Sequence, residues 1–463
     1  MRILVIGGSD AGISAALRVG ELDRTADVTV LLADEYPNWS ICGLPYFLGG
    51  ETPDWRSLAH RTEFAGITLL RQHRAERIEP AARTVTVRGP GGGEHRLPYD
   101  RLIVATGAVP VRPELPGLEL PGVHVLHTMQ HALDVQRVLD SEPPPKSALV
   151  VGAGYIGLEM AEALVHRGLS VTVASRSDPV FPSVDAVFGH AITEELTQHG
   201  VRVAAGTALQ CIERDGICEN LVARGSGGFE ARPDLILVAT GVQPDTRLAA
   251  ASGAELGTRG AIRVDRSMRT SVPDLLAAGD CAETWHRLLE RNTYLPLGTT
   301  AHKQGRIAGE TALDGKRLFA GSVGTQVVKL FDLAVARTGL LEREAAEAGF
   351  DPATAETVAW DHKAYYPGAR RLRVRVTGDR QTGRLLGAQI LGSWQGEVAK
   401  RIDVFAAALF HEMRVQDISD LDLSYAPPFS SPWDPVQMAA QAWAAECGLN
   451  ETAAAVRGAD FDG

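Results

Sequence analysis

Residues 1–22 read MRILVIGGSDAGISAALRVGEL, and residues 147–166 repeat the pattern as SALVVGAGYIGLEMAEALVH. In each stretch a short apolar run ends in small residues rich in glycine, and a helix-forming segment follows at once. A second apolar run follows each helix, at 28–32 and at 171–173. This order of strand, glycine turn, helix and strand predicts two βαβ units.

The small residues of both turns have the spacing of a dinucleotide-binding fingerprint. They let the backbone approach a pyrophosphate, whose negative charge lies at the N-terminus of the helix. One such turn is weak evidence, because glycine is common between strand and helix, but two in the same context are strong evidence. The predicted nucleotide contacts in these turns are Gly7, Gly8, Ser9 and Gly12, then Gly152, Gly154 and Gly157.

Three further buried strands are predicted to end in the same site. Two of them finish on Ala-Thr-Gly, at 105–107 and 239–241, and the third finishes on Gly279-Asp280. An acid after a buried strand can hold a ribose or ribityl hydroxyl, or it can simply cap a helix. These strand ends add Thr106, Gly107, Gly241, Gly279 and Asp280 to the predicted cofactor site.

The composition excludes several classes of partner. With 57 acidic against 46 basic residues among 463, the net charge of -11 argues against nucleic acid or an anionic membrane. No run of about 18 apolar residues and no signal-peptide pattern occurs, so we expect no membrane span and a cytoplasmic location. Five cysteines in a chain of this length predict reduced thiols rather than a disulfide scaffold.

In the order of these motifs the sequence resembles the flavin-dependent pyridine nucleotide-disulfide oxidoreductases, to about residue 440. The resemblance implies an α/β protein with two Rossmann-like domains, for FAD and for NAD(P), and a C-terminal α+β domain through which a homodimer forms. The corresponding division is an FAD domain at 1–115 and 245–316, an NAD(P) domain at 116–244, a dimerisation domain at 317–445 and a tail at 446–463. Separately, the three prolines at 143–145 predict a junction between domains.

One cysteine, Cys42 in the segment WSICGLPY, identifies the branch of this family. Members with a local disulfide carry a second cysteine five residues later, where this chain has Phe47. The segment resembles the single-cysteine branch, which contains coenzyme A-disulfide and persulfide reductases, NADH oxidases and NADH peroxidases. We expect a helix N-terminus or oxidised flavin to lower the pKa of Cys42 and make it a nucleophile. A buried, inert thiol is the alternative, which the two fingerprints disfavour.

The nucleotide preferences rest on the residues after each second strand. The second βαβ unit carries Ser175 and Arg176 where an NAD site places an acid. This favours binding of the 2′-phosphate of NADPH, and therefore NADPH over NADH. Arg176 is equally explained as a solvated charge. The resemblance implies that Glu159 lies by the nicotinamide and that Tyr155 covers the flavin. For FAD, Leu32 occupies the acid position, so Asp34 is the predicted ribose contact, and the predicted site also includes Ala75 and Ala301.

The substrate is the least determined part of the prediction. Tyr425 and Tyr366, or the neighbouring Tyr365, resemble tyrosines that coenzyme A-disulfide reductases extend into the partner's active site to assist the departing thiolate; interface packing is the alternative. Coenzyme A-disulfide reductases hold an arginine, an asparagine and a lysine around the bound coenzyme. The corresponding residues here are Glu21, Ile41 and Trp433, which disfavours coenzyme A as a ligand. The predicted substrate contacts are Arg18, Trp39, Ser40, His60, Arg61 and Trp433.

The resulting hypothesis is an FAD enzyme that reduces a small-molecule disulfide, persulfide or related thiol-reactive species with NADPH or NADH, without a metal ion. Two alternatives remain open. The first is an NAD(P)H oxidase or peroxidase, which position 10 disfavours because Asp10 stands where those enzymes carry a histidine. The second is a flavoprotein redox sensor with little turnover.

Overall fold

The computed structural model describes residues 1–216 and 220–447, and they form two compact units. The predicted tail from residue 448 onward lies outside the described residues. The first unit comprises Met1–Asp178, Gly200–His286 and Glu290–Ser322, and the second comprises Pro179–His199, Arg287–Leu289 and the chain from Val323 onward. No described helix is long and apolar enough to cross a membrane.

The strands, numbered in chain order, are β1 Arg2–Ile6, β2 Asp27–Leu31, β3 Ile67–Leu70, β4 Arg74–Glu79, β5 Thr84–Arg88, β6 Glu94–Pro98, β7 Arg101–Val104, β8 Ala108–Pro110, β9 Val123–Val125, β10 Ser147–Val151, β11 Ser170–Ala174, β12 Arg202–Ala204, β13 Leu209–Arg214, β14 Leu221–Gly225, β15 Glu230–Ala231, β16 Leu235–Val238, β17 Val242–Pro244, β18 Leu275–Ala277, β19 Thr284–His286, β20 Arg291–Thr293, β21 Gln326–Leu330, β22 Leu333–Gly339, β23 Pro352–Trp360, β24 Arg371–Asp379 and β25 Leu385–Ser393.

The helices are α1 Asp10–Leu22, α2 Leu44–Gly49, α3 Met129–Leu139, α4 Tyr155–His166, α5 Ala186–Gln198, α6 Arg247–Ala251, α7 Gly298–Ala312, α8 Glu342–Glu347, α9 Val398–Phe410, α10 Val415–Ile418 and α11 Pro435–Glu446.

The first unit contains two parallel five-stranded sheets, in the orders β18-β7-β1-β2-β3 and β12-β11-β10-β16-β9. Each fingerprint strand, β1 or β10, lies in the middle of its sheet and pairs on both sides; Leu4, for example, faces Thr29 and Leu102. Such central strands are buried on both faces, which is why their sequences are apolar throughout rather than alternating. Two antiparallel sheets, β4-β5-β6 and β13-β14-β15, share the hydrophobic cores of the first and the second parallel sheet respectively. The two predicted βαβ units are therefore confirmed.

A short antiparallel ribbon connects the two sheets. It is formed by β8 and β17, each of which follows an Ala-Thr-Gly segment. The Thr106 hydroxyl donates to the carbonyl oxygen of Asp245 at 2.5 Å, and the Thr240 hydroxyl donates to that of Val111 at 3.0 Å. The two threonines thus make reciprocal contacts that hold both strand ends to the ribbon.

The prediction of a domain junction at residues 143–145 is wrong. Strand β9, which precedes these prolines, pairs with β16 in the same sheet as β10, which follows them. The prolines therefore lie in a loop inside one sheet domain. Their composition signals a break in regular structure, which a loop and a linker share.

The second unit is an antiparallel sheet in the order β21-β22-β25-β24-β23, with α9 and α11 packed on it. Its core contains Phe405 and Trp443, and the indole of Trp443 donates to the carbonyl oxygen of Ala353 at 2.8 Å. This agrees with the predicted α+β character of the C-terminal region. The predicted division assigns residues 186–198 to the NAD(P) domain, whereas the structure groups α5 with this second unit.

The grouping of α5 has a specific cause. Asp185, directly before the helix, accepts hydrogen bonds from Arg375 Nε at 2.9 Å and Gln389 Nε2 at 2.7 Å. Its own N–H donates to the Gln389 side chain at 2.8 Å. Sequence spacing gives no indication of these contacts, because Asp185 and its partners are about 200 residues apart.

Candidate active site

The first glycine turn brings β1, α1 and β7 to a distance that only glycine permits. Gly7 has a φ of +116°, and a Cβ there would lie 2.0 Å from the carbonyl oxygen of Ala105. A Cβ on Gly12 would lie 1.9 Å from the carbonyl oxygen of Gly7. Helix α1 begins at Asp10, with Ser9 at its N-cap, so unpaired N–H groups of its first turn lie at the end of the strand. This arrangement suits an anionic ligand.

The second turn repeats the same construction. Gly152 has a φ of +108°, and its Cβ would lie 2.4 Å from the carbonyl oxygen of Ala239. A Cβ on Gly157 would lie 2.0 Å from the carbonyl oxygen of Gly152, whereas one on Gly154, the N-cap of α4, would meet nothing within 4 Å. The space beside Gly154 is therefore open at the N-terminus of the helix.

A cavity of about 490 Å³ lies in the first unit, at the carboxyl ends of β1, β7 and β18. Its position and size are typical of a cofactor site at the edge of a parallel sheet. The predicted FAD residues that line it are Gly7, Gly8, Ser9, Asp34, Ala75, Thr106, Gly107, Gly279, Asp280 and Ala301. A cavity of this kind, bordered by helix N–H groups and carboxylates, fits FAD.

The packing of Leu32 after β2 shows why this chain has its acid at position 34. The Leu32 side chain packs against Gly8, since a Cβ on Gly8 would lie 2.4 Å from Leu32 Cγ. Both Leu32 and Asp34 line the cavity, and the Asp34 carboxylate accepts the N–H of Tyr36 at 2.9 Å. Burial raises the pKa of Asp34, partly offset by that hydrogen bond. The chain thus places a carboxylate at the cavity by a different local route.

The carboxyl end of β18 is fixed by a residue that sequence reasoning missed. Gln304, fully buried on α7, accepts the N–H of Gly279 at 2.8 Å and donates to the carbonyl oxygen of Glu283 at 2.9 Å. The available signal was a polar residue at a core position of an amphipathic helix. Beside this contact, burial and the charge of Asp10 raise the pKa of Asp280 to about 6.

Cys42 lies on a single turn of 3-10 helix, Ile41–Gly43, directly before α2. Cys42 as a residue is exposed to solvent. Even so, the protein atoms around its thiol exclude enough water for burial to be the largest cause of a raised pKa. The carboxylates of Glu159, Asp10 and Asp280 raise the pKa further. The expectation that a helix N-terminus lowers the pKa of Cys42 is therefore wrong for the protein's own groups. Helix α2 has only six residues, and the three carboxylates disfavour the thiolate.

Glu159 lies on the same face of α4 as Tyr155, one turn along the helix. Burial raises the pKa of Glu159 to about 7, with a further contribution from Glu162. Helix α2 packs against α4, where a Cβ on Gly49 would lie 3.2 Å from Ala163 Cα. This packing brings the Cys42 turn and the Glu159 carboxylate together.

The end of β11 carries no acid at the position where NAD sites have one. Ser175 is buried, and its hydroxyl lies 2.9 Å from that of Ser177. Arg176 between them is exposed. A guanidinium and two hydroxyls at this strand end are donors suited to a phosphate.

The segment 55–62 pairs with the residues that lead to Cys42. Ser40 N–H donates to the carbonyl oxygen of Leu58 at 2.9 Å, and Trp39 stacks on Trp55 with ring centres 4.9 Å apart. Arg61 donates to the carbonyl oxygen of Glu63 at 3.0 Å, a contact within its own loop. Trp39 lines the cavity. The loop therefore supports the Cys42 turn directly.

Arg18, the predicted phosphate contact, is held by carboxylates of the chain itself. It pairs with Glu310 at 2.8 Å and with Glu21 at 3.0 Å, and Arg306 pairs with Glu21 at 3.1 Å. An anionic substrate would have to compete with these internal partners.

Asp10 has two histidines nearby, from different elements. Burial raises the pKa of Asp10, and electrostatic interactions with His60 and His302 oppose that rise. His302 Nδ1 lies 2.7 Å from the hydroxyl of Ser14. Two imidazoles from residues distant in sequence therefore interact electrostatically with Asp10, although position 10 itself carries none.

The two segments that carry the predicted tyrosines meet in the second unit. The N–H of Lys363 donates to the carbonyl oxygen of Pro427 at 3.3 Å, which joins the segments that carry Tyr366 and Tyr425. Lys363 Nζ lies over the Trp433 ring at 5.9 Å. The exposed fractions are 74% for Tyr365, 42% for Tyr366, 46% for Tyr425 and 60% for Trp433. Cys42 belongs to the other unit.

Comparison with known proteins gives two family matches and close structural neighbours. Residues 1–305 match the model for pyridine nucleotide-disulphide oxidoreductases, and residues 325–435 match the dimerisation domain of that family. An NAD(P)H sulfur oxidoreductase (CoA-dependent) of Pyrococcus furiosus is 36% identical, covering 94% of this chain and 97% of its own.

Two solved structures are similar over almost the whole chain. An NAD-dependent persulfide reductase from A. fulgidus is 36% identical, with a TM-score of 0.92, covering 97% of this chain and 84% of its own. An engineered water-forming NADPH oxidase, bound to NADPH and derived from the Lactobacillus brevis NADH oxidase, is 26% identical, with a TM-score of 0.91, covering 97% and 99%.

Proposed function

The chain belongs to the pyridine nucleotide-disulphide oxidoreductase family, and on that premise we propose that it uses FAD and NAD(P)H to reduce a disulfide, persulfide or related thiol-reactive species through Cys42. The observation that carries the proposal is the position of Cys42. Ile41, in the same turn as Cys42, lines the cofactor cavity, and α2, which follows that turn, packs against α4, the helix that carries Glu159. The sulfur and persulfide reductases among its relatives support the same class of substrate.

The chemistry assigned to the chain is thiol–disulfide exchange. The Cys42 thiolate attacks one sulfur of the substrate, forms a mixed disulfide and releases the first thiol. Two electrons and a proton then break that mixed disulfide and release the second thiol, so one NAD(P)H and one proton are consumed per disulfide. Bound FAD supplies the two-electron link between nicotinamide and sulfur. The chain's own groups raise the pKa of Cys42, and we expect oxidised flavin bound beside the thiol to favour its thiolate.

NADPH is the proposed preferred reductant. Arg176 and the hydroxyls of Ser175 and Ser177 offer donors for a 2′-phosphate after β11. The NADPH-bound engineered oxidase carries alanine, arginine and serine in place of aspartate, alanine and methionine at three consecutive positions. The run Ser175-Arg176-Ser177 resembles that engineered run, and the persulfide reductase named as NAD-dependent keeps NADH as the alternative.

The proposed substrate is not coenzyme A disulfide itself. Arg18 and Arg306 share Glu21, so the basic groups on this face are already neutralised within the chain. The name of the Pyrococcus relative includes dependence on coenzyme A, which supports a role for that ligand instead. The identity of the electron acceptor is therefore what an experiment has to measure.

The test is a steady-state acceptor panel on the holoenzyme and on Cys42→Ser. The panel includes coenzyme A disulfide, small aromatic disulfides, persulfides, peroxide and oxygen, with NADPH and NADH. We expect Cys42→Ser to retain flavin reduction by NADPH and to lose disulfide turnover by at least about 100-fold. Cys211→Ser, which changes another accessible thiol, is the matched control and should keep turnover. Full turnover in Cys42→Ser with every disulfide contradicts the proposal.

A second candidate, an NAD(P)H oxidase, is favoured by the oxidase neighbour. Oxygen consumption stoichiometric with NADPH oxidation, in the absence of any disulfide, supports this second function.

A further inference from the structure

Helices α2 and α4 meet next to the Cys42 turn, and three metal-ligand side chains lie at their contact. Glu51 follows the end of α2, while Glu162 and His166 lie one turn apart on α4. One ligand atom from each of the three lies within 4.8 Å of the others. We propose that this α2–α4 cluster (Glu51, Glu162 and His166) binds Zn²⁺, although the sequence predicted no metal.

The ligand set and its spacing are suited to zinc. Residues at i and i+4 share one face of a helix, so Glu162 and His166 present a carboxylate and an imidazole to the same point. His166 Nδ1 and Glu51 Oε1 are 3.7 Å apart. Bonds of about 2.0–2.2 Å in tetrahedral geometry place ligand atoms about 3.4 Å apart, a change that small side-chain rotations supply. Three protein ligands leave the fourth position for water.

Burial and charge also suit a cation. Glu162 is 4% exposed, whereas the side chains of Glu51 and His166 both retain 39% exposure, so the cluster has one fixed ligand and a route from solvent. Burial, with the charges of Glu159, Glu162 and Glu51, raises the pKa of Tyr46 on α2 to about 12. Three carboxylates, those of Glu51, Glu159 and Glu162, lie around this helix contact, and such a concentration of acidic side chains favours a divalent ion.

A second cluster in the described part of the chain has the same spacing, and the ring nitrogen of its histidine is already engaged by a backbone carbonyl oxygen. Glu195 and His199 lie one turn apart at the end of α5, with Asp332 nearby. The His199 nitrogen that faces the Glu195 carboxylate at 3.6 Å donates to the backbone carbonyl oxygen of Glu195 at 3.0 Å. A nitrogen that carries this proton offers no lone pair to a metal. This cluster therefore supplies a matched control.

Bound Zn²⁺ would tie the end of α2 to α4. The first of these helices begins directly after the Cys42 turn, and the second carries Tyr155 and Glu159. An ion that binds only the folded protein stabilises it by mass action. The expected effect is a firmer contact between the thiol-bearing turn and the nucleotide helix, whichever acceptor the enzyme uses.

The experiment uses the Cys42→Ser holoenzyme, because a reactive thiolate would also bind zinc. After chelator treatment and dialysis, Zn²⁺ is titrated against a chromogenic chelator, and thermal midpoints are measured with and without the ion. We expect one zinc per chain, a higher thermal midpoint with zinc, and an affinity at least about 10-fold weaker in both His166→Ala and Glu51→Gln. His199→Ala should leave affinity and midpoint shift unchanged.

Equal zinc affinity in the parent, His166→Ala and Glu51→Gln overturns the proposal, and so does a loss confined to His199→Ala. Glu51→Gln changes an exposed carboxylate to an amide of the same shape, so it decides the question even if His166→Ala folds poorly. Zinc affinity is read without turnover, so a failure here is distinguishable from a failure of the proposed reductase function.

Discussion

At the scale of single residues, the candidate site contains acidic side chains that are buried, and burial disfavours their ionised forms. Asp280 and Glu159 both have pKa values raised mainly by burial, and their charges in turn oppose ionisation of Cys42. Perturbed groups of this kind collect at functional sites. The ionised forms of these carboxyls are therefore destabilised in the folded chain. Hydrogen-bond donors that bind beside them would stabilise those forms.

Asp280→Asn should stabilise the flavin-free protein while weakening its retention of FAD. The folded-state pKa of about 6 lies above the ordinary 3.8, so the folded state binds the proton more tightly. The stability contribution of this carboxyl therefore falls as pH rises from about 4 to about 6 and stays low above that range. The amide removes that loss, so its gain in thermal midpoint should be larger at pH 7.5 than at pH 5.

The same measurement on Asp178→Asn, an exposed acid of the first unit, gives the control. An equal gain at both pH values for Asp280→Asn would contradict a buried charge as its cause. FAD retention is measured by the flavin fluorescence released on dilution.

Arg176→Ala should change the choice of nicotinamide. A charge-assisted contact to a phosphate contributes about 1.5–3 kcal/mol, so kcat/KM for NADPH should fall by about 10- to 100-fold. The value for NADH in the same variant is the internal control and should change little. Equal losses for both nucleotides would instead indicate that Arg176 supports the fold of the strand end.

At the scale of elements, the two strand–turn–helix units are determined by close backbone contacts. In both, the last glycine of the fingerprint lies against the carbonyl oxygen of the first, at the distances that a Cβ would violate. The helix can then start at the end of the strand and direct its N–H groups to one point. The Cys42 turn has no such local determinant, because it is positioned by α2 against α4 and by the loop at 55–62.

Gly157→Ala and Gly154→Ala separate these two kinds of position. At 157 the new Cβ would lie 2.0 Å from the Gly152 carbonyl oxygen, so α4 must shift at a cost of about 1–3 kcal/mol. At 154 nothing lies within 4 Å, so the fold should be retained. Thermal unfolding of the two variants checks this, and a lower midpoint for Gly154→Ala than for Gly157→Ala would refute it.

At the scale of the whole molecule, the family match to a dimerisation domain supports a homodimer. We propose that each site uses a tyrosine of the other subunit. The exposed side chains of Tyr366 and Tyr425 are consistent with this arrangement. The decisive observation is whether Cys42 and Tyr425 act within one chain or across two.

Hybrid dimers answer this question. Cys42→Ser and Tyr425→Phe homodimers should each lose at least about 100-fold in disulfide turnover, the typical contribution of an acid catalyst in the second case. After complete exchange of equal amounts, half of the dimers are mixed, and each holds one intact site if the tyrosine acts across the interface. About a quarter of wild-type turnover should return. No recovery, with exchange shown by native mass spectrometry, would place both residues in one chain.

The sequence by itself determined the two nucleotide-binding units, their order and the single cysteine, because glycine turns and apolar strands are local features that a few adjacent residues specify. Leu32, Asp34 and Ser175 were likewise readable from their distance to a strand end. Gln304, by contrast, was missed because its role depends on Gly279, which lies on another element.

Only the tertiary structure decided what surrounds the thiol. Packing of α2 on α4 places Glu159 by Cys42 and creates the α2–α4 cluster, and pairing of distant segments brings His60 and His302 to Asp10. It also groups α5 with the second unit through Asp185. The physical reason is the same in each case: the pKa of a group and the ligands available to an ion depend on charges and burial supplied by residues far apart in sequence, which no local pattern encodes.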